Sequence, residues 1–244
     1  MKNQYFADIG DYGKYGLLRY LANHGISIAV NWYMTADDTS NDGHFREYLD
    51  NGQYRDRDPD LFDELKKMHE LKQYSVEAFE EKHMIPGARY YHAFIDMPDW
   101  SGKPSSERLS KRIQWHRDAL AFCKGSELVF LDPDNGLNKI PVNGWLNSRK
   151  YVFLDEAYDY YNAGLDVVYY CHKGRKNPEK WLPAVQVLKT KDPSMHIRAL
   201  TFHKGTQRTY VFAVHPENAK KYDELIAGFL QTDWGQDRML TLEL

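Results

Sequence analysis

The chain has 244 residues, 42% of them hydrophobic, which is enough to build a real core in one large α/β domain. Its formal charge of −3 supplies no global field for nucleic acid, so a nucleotide or nucleic-acid partner would have to be met by a local basic patch. The two cysteines, Cys123 and Cys171, lie far apart and exclude a cysteine-rich zinc site and a disulfide framework, as expected for a cytoplasmic protein.

Residues 1–8 contain no apolar signal core, and no later stretch approaches membrane-spanning length, so no membrane partner is expected. The spacing of Tyr15, Leu17, Leu18 and Leu21 predicts a helix from Asp11 to His24, capped by Asn23-His24-Gly25. Gly10, Gly13 and Gly16 each cost such a helix about 1 kcal/mol relative to alanine, which points to a close backbone approach on that side. Their spacing also echoes a phosphate-cradling loop, without the preceding strand that a dinucleotide fingerprint requires.

Ile26 to Thr35 reads as the first strand. It runs into Asp37, Asp38 and Asp42, which suit either a hard cation such as magnesium or a solvated turn with Asx caps. Residues 44–86 read as a helical insertion, with Tyr54 to Asp60 as a polar connector and short helices at Leu61 to Met68 and Val76 to Glu81. The alternating charges of Arg55-Asp56-Arg57-Asp58 read as solvated surface. Arg89 to Asp96 reads as a strand ending on Asp96 and Asp99.

A long helix is expected from Ser105 to Lys124, with Ser105 or Ser106 as N-cap and an apolar stripe of Leu109, Ile113, Leu120 and Cys123. Its other face carries Arg108, Lys111, Arg112 and Arg117, either a solvated face or a nucleic-acid contact. The next strand, Leu128 to Leu131, is wholly apolar and stops on Asp132-Pro133-Asp134-Asn135-Gly136. An aromatic helix is expected over Tyr151 to Asn162. The strand Asp166 to Cys171 runs into His172-Lys173-Gly174-Arg175, and a helix follows at Trp181 to Lys189 with Pro183 in its first turn. His196 to Phe202 and Thr209 to Val214 read as paired strands around His203-Lys204-Gly205 and Arg208. Glu217 to Leu230 is the last helix, and Arg238 to Leu242 an edge strand. His-Lys-Gly thus recurs at 172 and 203, each time after an apolar strand.

Strands too apolar to face water, alternating with helices, predict a single α/β, Rossmann-like domain. The expected sheet is mostly parallel, with helices on both faces and a C-terminal antiparallel strand pair. The endings Asp37/Asp38, Asp96, Asp132/Asp134/Asn135 and His172/Arg175 would then gather at one rim, where such sheets bind ligands.

The strand ending on Asp132-Pro133, the aromatic helix, the His/Lys-rich turn and the strand pair resemble the C-terminal half of class I S-adenosylmethionine-dependent methyltransferases. In particular they resemble the adenine-N6 methyltransferases of large-subunit ribosomal RNA, whose strand ends in Leu-Ile-Asp-Pro-Pro-Tyr. Their N-terminal Asp-x-x-Lys-His is echoed by Asp11-Tyr12-Gly13-Lys14-Tyr15 after Tyr5-Phe6. The chain is also similar to uncharacterised bacterial and phage proteins. The family resemblance implies an S-adenosylmethionine cofactor and a nucleotide or nucleic-acid substrate, with Asp132 accepting a hydrogen bond from an exocyclic amine and Lys14 on the N-terminal lysine. This chain departs from the pattern at Asp134-Asn135, which replaces Pro-Tyr and so lacks the aromatic that would stack on a flipped base, and at Asp37-Asp38-Thr39, where the family has a glycine-rich cofactor turn.

On this reading the catalytic set is Lys14, Asp132, Asp134, Asn135 and His172. Asp37, Asp38, Asp96 and Pro133 form the cofactor set, and Lys173, Arg175, His203, Lys204 and Arg208 bind substrate. A second reading is magnesium-dependent phosphoryl chemistry, a nuclease or phosphohydrolase. There Asp37, Asp38, Asp132 and Asp134 would hold the metal, with His172 as acid or base and Lys173, Arg175 or Lys204 on a phosphate. The third is a binding module without catalysis.

Overall fold

The computed structural model describes residues 1–38, 45–173 and 177–244. The chain forms an α/β fold around a seven-stranded mixed sheet. Its strands are β1 (Ile28–Asn31), β2 (Arg89–Tyr91), β3 (Leu128–Leu131), β6 (Asp166–His172), β7 (His196–Phe202), β8 (Arg208–Val214) and β9 (Leu240–Leu242). A separate two-stranded parallel ribbon joins β4 (Leu137–Asn138) to β5 (Val152–Phe153). The strand order is β2-β1-β3-β6-β8-β7-β9. The first four strands run parallel, whereas β8 is antiparallel to both β6 and β7, and β9 is antiparallel to β7. This is the Rossmann-like arrangement expected, with the C-terminal antiparallel pair in place and β9 at its edge.

Strand periodicity explains why both faces are covered. Ile28, Val30, Phe130 and Val168 join one apolar cluster, while Ala29, Val129, Leu131 and Val167 join another on the opposite face. The first cluster is closed by α1 (Ile9–Asn23), α3 (Pro59–Glu70), α4 (Val76–Glu81) and α8 (Ala219–Gln231), with the short α2 (Glu47–Asp50) beside them. The second is closed by α5 (Ser105–Cys123), α6 (Leu154–Asn162) and α7 (Pro178–Val185). The chain passes from β1 to β2 on one side and returns to β3 on the other. The switch point of the sheet therefore lies between the C-terminal ends of β1 and β3, where the crossovers part and leave a crevice.

The three glycines of α1 mark a close approach, as their helix cost suggested. A Cβ at Gly10 would fall on the Arg208 guanidinium, one at Gly13 would lie 2.6 Å from the Phe202 ring, and one at Gly16 would strike the Trp234 ring. The spacing of three residues keeps them on one side of the helix, which lets α1 lie against the end of the sheet.

Several expected boundaries are corrected. β1 stops at Asn31 because Tyr33 takes a left-handed φ of 50°, and β2 is only three residues long. Pro104, not a serine, precedes α5 as its N-cap residue, and no side chain caps it. The inward stripe of α5 is Trp115, His116, Ala119 and Cys123 together with Arg112, whereas Ile113 is 39% exposed. Arg112 is fully buried, in a salt bridge with Glu156 and donating to Ser148 O and Tyr151 O. Arg108 is spent on the carbonyls of Gly144 and Lys103. Two of the four cations of the expected basic face therefore hold loops together. α6 begins at Leu154 because Val152 and Phe153 pair with β4, and Glu156 accepts from the Phe153 N–H at 3.1 Å. Pro178 opens α7, so Pro183 lies beyond its first turn. No helix among the described residues is long and apolar enough to cross a membrane.

Candidate functional site

The N-terminus of α1 supplies the first wall of the site. Asp8 is the N-cap, accepting from Gly10 N at 2.7 Å and Asp11 N at 2.9 Å, while its second oxygen receives Arg208 Nη2 at 2.7 Å. Asp11 and Lys14 follow on one face of the helix, and the Lys14 ammonium lies 2.8 Å from Asp11 and 2.7 Å from Asp132. All three are buried. Burial alone would lower the Lys14 ammonium, but Asp11 and Asp132 together hold it above its ordinary value. One ammonium cannot fully offset two buried carboxylates, and burial pushes the Asp11 carboxyl up to about 6 against the pull of Lys14.

The end of β3 supplies the second wall. The Asp132 N–H donates to Asn31 O at 3.0 Å, carrying the β1–β3 ladder into the Asp-Pro-Asp-Asn turn. The Met1 amine donates to Tyr33 O, Asp132 O and Asp134 Oδ1 at 3.1, 3.2 and 3.0 Å. The Asp134 side chain is 7% exposed, and its Oδ2 is buried without a hydrogen-bond partner among the described residues. The third wall comes from β6 and β8. Tyr170 and His172 lie on the same face of β6 and share a 2.9 Å hydrogen bond between the phenol and Nε2. Cys171 is directed the other way, toward the backbone of Gly136, so no Cys-His pair forms. Because β8 is antiparallel, its first residue, Arg208, lies opposite His172 at the same rim.

These walls enclose a cavity of about 280 Å³ lined by Asp8, Asp11, Asp132, Asp134, Lys14 and Arg208, with Asn135, Tyr170, His172, Lys150 and Thr206 among the remaining residues. Every expected catalytic residue lines it: Lys14, Asp132, Asp134, Asn135 and His172. Pro133 and Arg208 line it as well. The other expected residues are placed elsewhere. Lys173 forms a salt bridge with Glu243, His203 Nε2 lies 2.7 Å from the Thr241 hydroxyl, and Lys204 packs over the Tyr54 ring at 5.3 Å. Lys173 and its partner Glu243 both act on the His203 ring, so these residues gather beside β9 and outside the cavity that His172 lines. Arg175, Thr39 and Asp42 lie outside the described residues.

Asp37 and Asp38, beyond β1, and Asp96, beyond β2, do not line the cavity. Asp37 accepts from Gln4 N at 3.1 Å, Asp38 pairs with Lys2, and Asp96 takes Arg149 Nη1 at 2.6 Å. Of the magnesium set, Asp132 and Asp134 line the cavity and Asp37 and Asp38 do not, although Lys2 and Tyr5 feel both Asp38 and Asp134. Among the described residues no group of three or more His, Cys, Asp or Glu side chains could hold a metal ion. The cofactor set is divided as well. The turn after β1 is made of buried Trp32, Tyr33 and Met34, with no glycine to admit a ligand against the backbone, and the carboxylates beyond it are engaged. Among the described residues, the turn after β1 thus does not reproduce the glycine-rich cofactor turn of the family that the chain resembles.

Asp8, Asp11, Lys150 and Tyr170 are cavity residues that the reading of the sequence missed. An aspartate two residues before Gly10 is a legible N-cap signal, and Tyr170 shares the parity of His172 along the strand. Nothing in the pattern around Lys150 distinguishes it. No protein-family model matches the chain, and no curated protein matches it.

Proposed function

We propose that this chain is a methyltransferase-like protein that acts on a nucleotide or nucleic-acid base held in the rim cavity, with a cofactor half that departs from the family pattern. The observation that carries the reading is the 2.7 Å pair between Lys14 and Asp132, which joins the two motifs on which the resemblance rests, in one buried pocket beside the sheet's switch point. Asp132 accepts from the exocyclic amine of the base. Lys14, 2.7 Å away, fixes that carboxylate in direction. His172, oriented by the Tyr170 phenol, holds or releases a proton at the same wall, and the Asn135 amide reads polar atoms at the mouth. The resemblance still implies S-adenosylmethionine as methyl donor, and the experiment measures it directly.

The test is calorimetric titration of the wild type and Asp132→Asn with adenosine and with S-adenosylmethionine. Adenosine heat that disappears in Asp132→Asn supports the reading. No heat from either ligand overturns it, and wild-type affinity for S-adenosylmethionine would show that the cofactor half is intact.

A further inference from the structure

The charges lining the cavity are not all satisfied within the protein. Lys14 is held by Asp11 and Asp132, and Arg208 by Asp8, so neither buried cation is left for a ligand anion. Lys150 differs. It is half-buried, lines the same cavity, and among the described residues its ammonium makes no ion pair or hydrogen bond. Its carbonyl accepts the Asn135 N–H at 2.9 Å, which ties it to the Asp-Pro-Asp-Asn turn. The Asn135 side-chain amide and the Thr206 hydroxyl are exposed lining groups that likewise make no hydrogen bond among the described residues. On the buried side an unsatisfied group has the opposite polarity: Asp134 Oδ2 is an acceptor with no donor among the described residues.

The cavity therefore has two ends. Its buried wall is rich in carboxylates and offers an acceptor. Its exposed rim offers an ammonium, an amide and a hydroxyl. A phosphate pushed inward would meet Asp8, Asp11, Asp132 and Asp134, whereas at the rim the Lys150 ammonium, the Asn135 side-chain NH2 and the Thr206 hydroxyl can donate to it. A lysine ammonium acts there as a point charge that suits phosphate oxygens.

Resting on the proposed nucleotide reading, we infer that Lys150 is the phosphate-binding residue of this site. The ligand is a phosphorylated nucleoside, or a nucleotide within a strand, bound base inward with its phosphate at the Lys150 rim. A neutral nucleoside uses only the inner end and binds more weakly.

The experiment compares adenosine with adenosine 5′-monophosphate by calorimetry at low salt, on wild type, Lys150→Gln and Lys204→Gln, with thermal melts to check folding. The monophosphate is expected to bind at least about tenfold more tightly than adenosine, the scale of one charge-assisted hydrogen bond. That preference should vanish in Lys150→Gln, with adenosine affinity unchanged, and persist in Lys204→Gln. Equal affinity for the two ligands, or a preference that survives Lys150→Gln, overturns the inference while leaving the nucleoside reading intact. Loss of the preference in Lys204→Gln also overturns it. Failure of both ligands to bind removes both.

Discussion

Lys14 and Asp132 are 118 residues apart in the chain and 2.7 Å apart in the fold, and Asp11 shares the same ammonium from one helical turn earlier. The trio carries one more negative charge than positive inside a buried wall. Lys14→Met would leave two carboxylates facing each other without a cation. The expected loss is about 3–5 kcal/mol of unfolding free energy at pH 7, measured by urea denaturation. Part of it should return at pH 5, where the unpaired carboxyls can protonate.

Asp11 gives a pH dependence with a definite sign. Its carboxyl is raised from 3.8 to about 6 in the folded state, so between those values the folded chain binds a proton that the unfolded chain does not. Stability therefore rises as pH falls from 6 toward 4, and the contribution is lost as pH rises through 6. Lys14, Asp8 and Asp132 are the charged groups that face it. In Asp11→Asn this segment of the stability curve should flatten. The variant should also be no less stable than wild type at pH 7, since Lys14 and Asp132 then balance one to one. A stability curve across pH 4–7 that keeps its slope in the variant would contradict the assignment.

Gly10→Ala sets helix propensity against packing. Alanine favours an exposed helix interior by about 1 kcal/mol over glycine, yet here its Cβ would fall on the Arg208 guanidinium and displace it from Asp8. The packing term should win, with a net destabilisation of about 1–3 kcal/mol in chemical denaturation. A stabilised variant would mean that Arg208 can move without cost.

Arg112 and Glu156 form a further buried salt bridge, and Arg112 holds the turn at 148–151 through two carbonyls as well. Arg112→Met should cost about 3–5 kcal/mol by leaving Glu156 buried and unpaired. Arg112→Met combined with Glu156→Gln should recover a good part of that loss, because the uncompensated charge is removed. Thermal melts of the two variants and the wild type give the comparison.

Much of this molecule is legible without coordinates. The apolar runs at 128–131 and 167–170 are buried on both faces and read as interior strands, and the glycines of α1 announce a close approach by their helix cost alone. Asp132 and its neighbours are legible as a site because an apolar strand that ends on carboxylates must deliver them to a rim. Other features depend on partners far away in sequence. Arg112 reads as surface until Glu156 and two carbonyls surround it, since burial of a charge is decided by what neutralises it. Asp37 and Asp38 read as site residues by the same strand-end logic as Asp132. The left-handed turn at Tyr33 and their pairing with Lys2 and Gln4 direct them elsewhere.

Local pattern thus determined which segments are strands and helices, because side-chain periodicity acts over a few residues. Only the tertiary structure decided which strand ends share a cavity. The antiparallel insertion of β8 brings Arg208 to the rim, α1 brings Asp8, Asp11 and Lys14, and the turn at 146–150 brings Lys150. The Asp-Pro-Asp-Asn turn is where all of them meet, and the charge each group keeps there is set by partners that sequence spacing does not reveal.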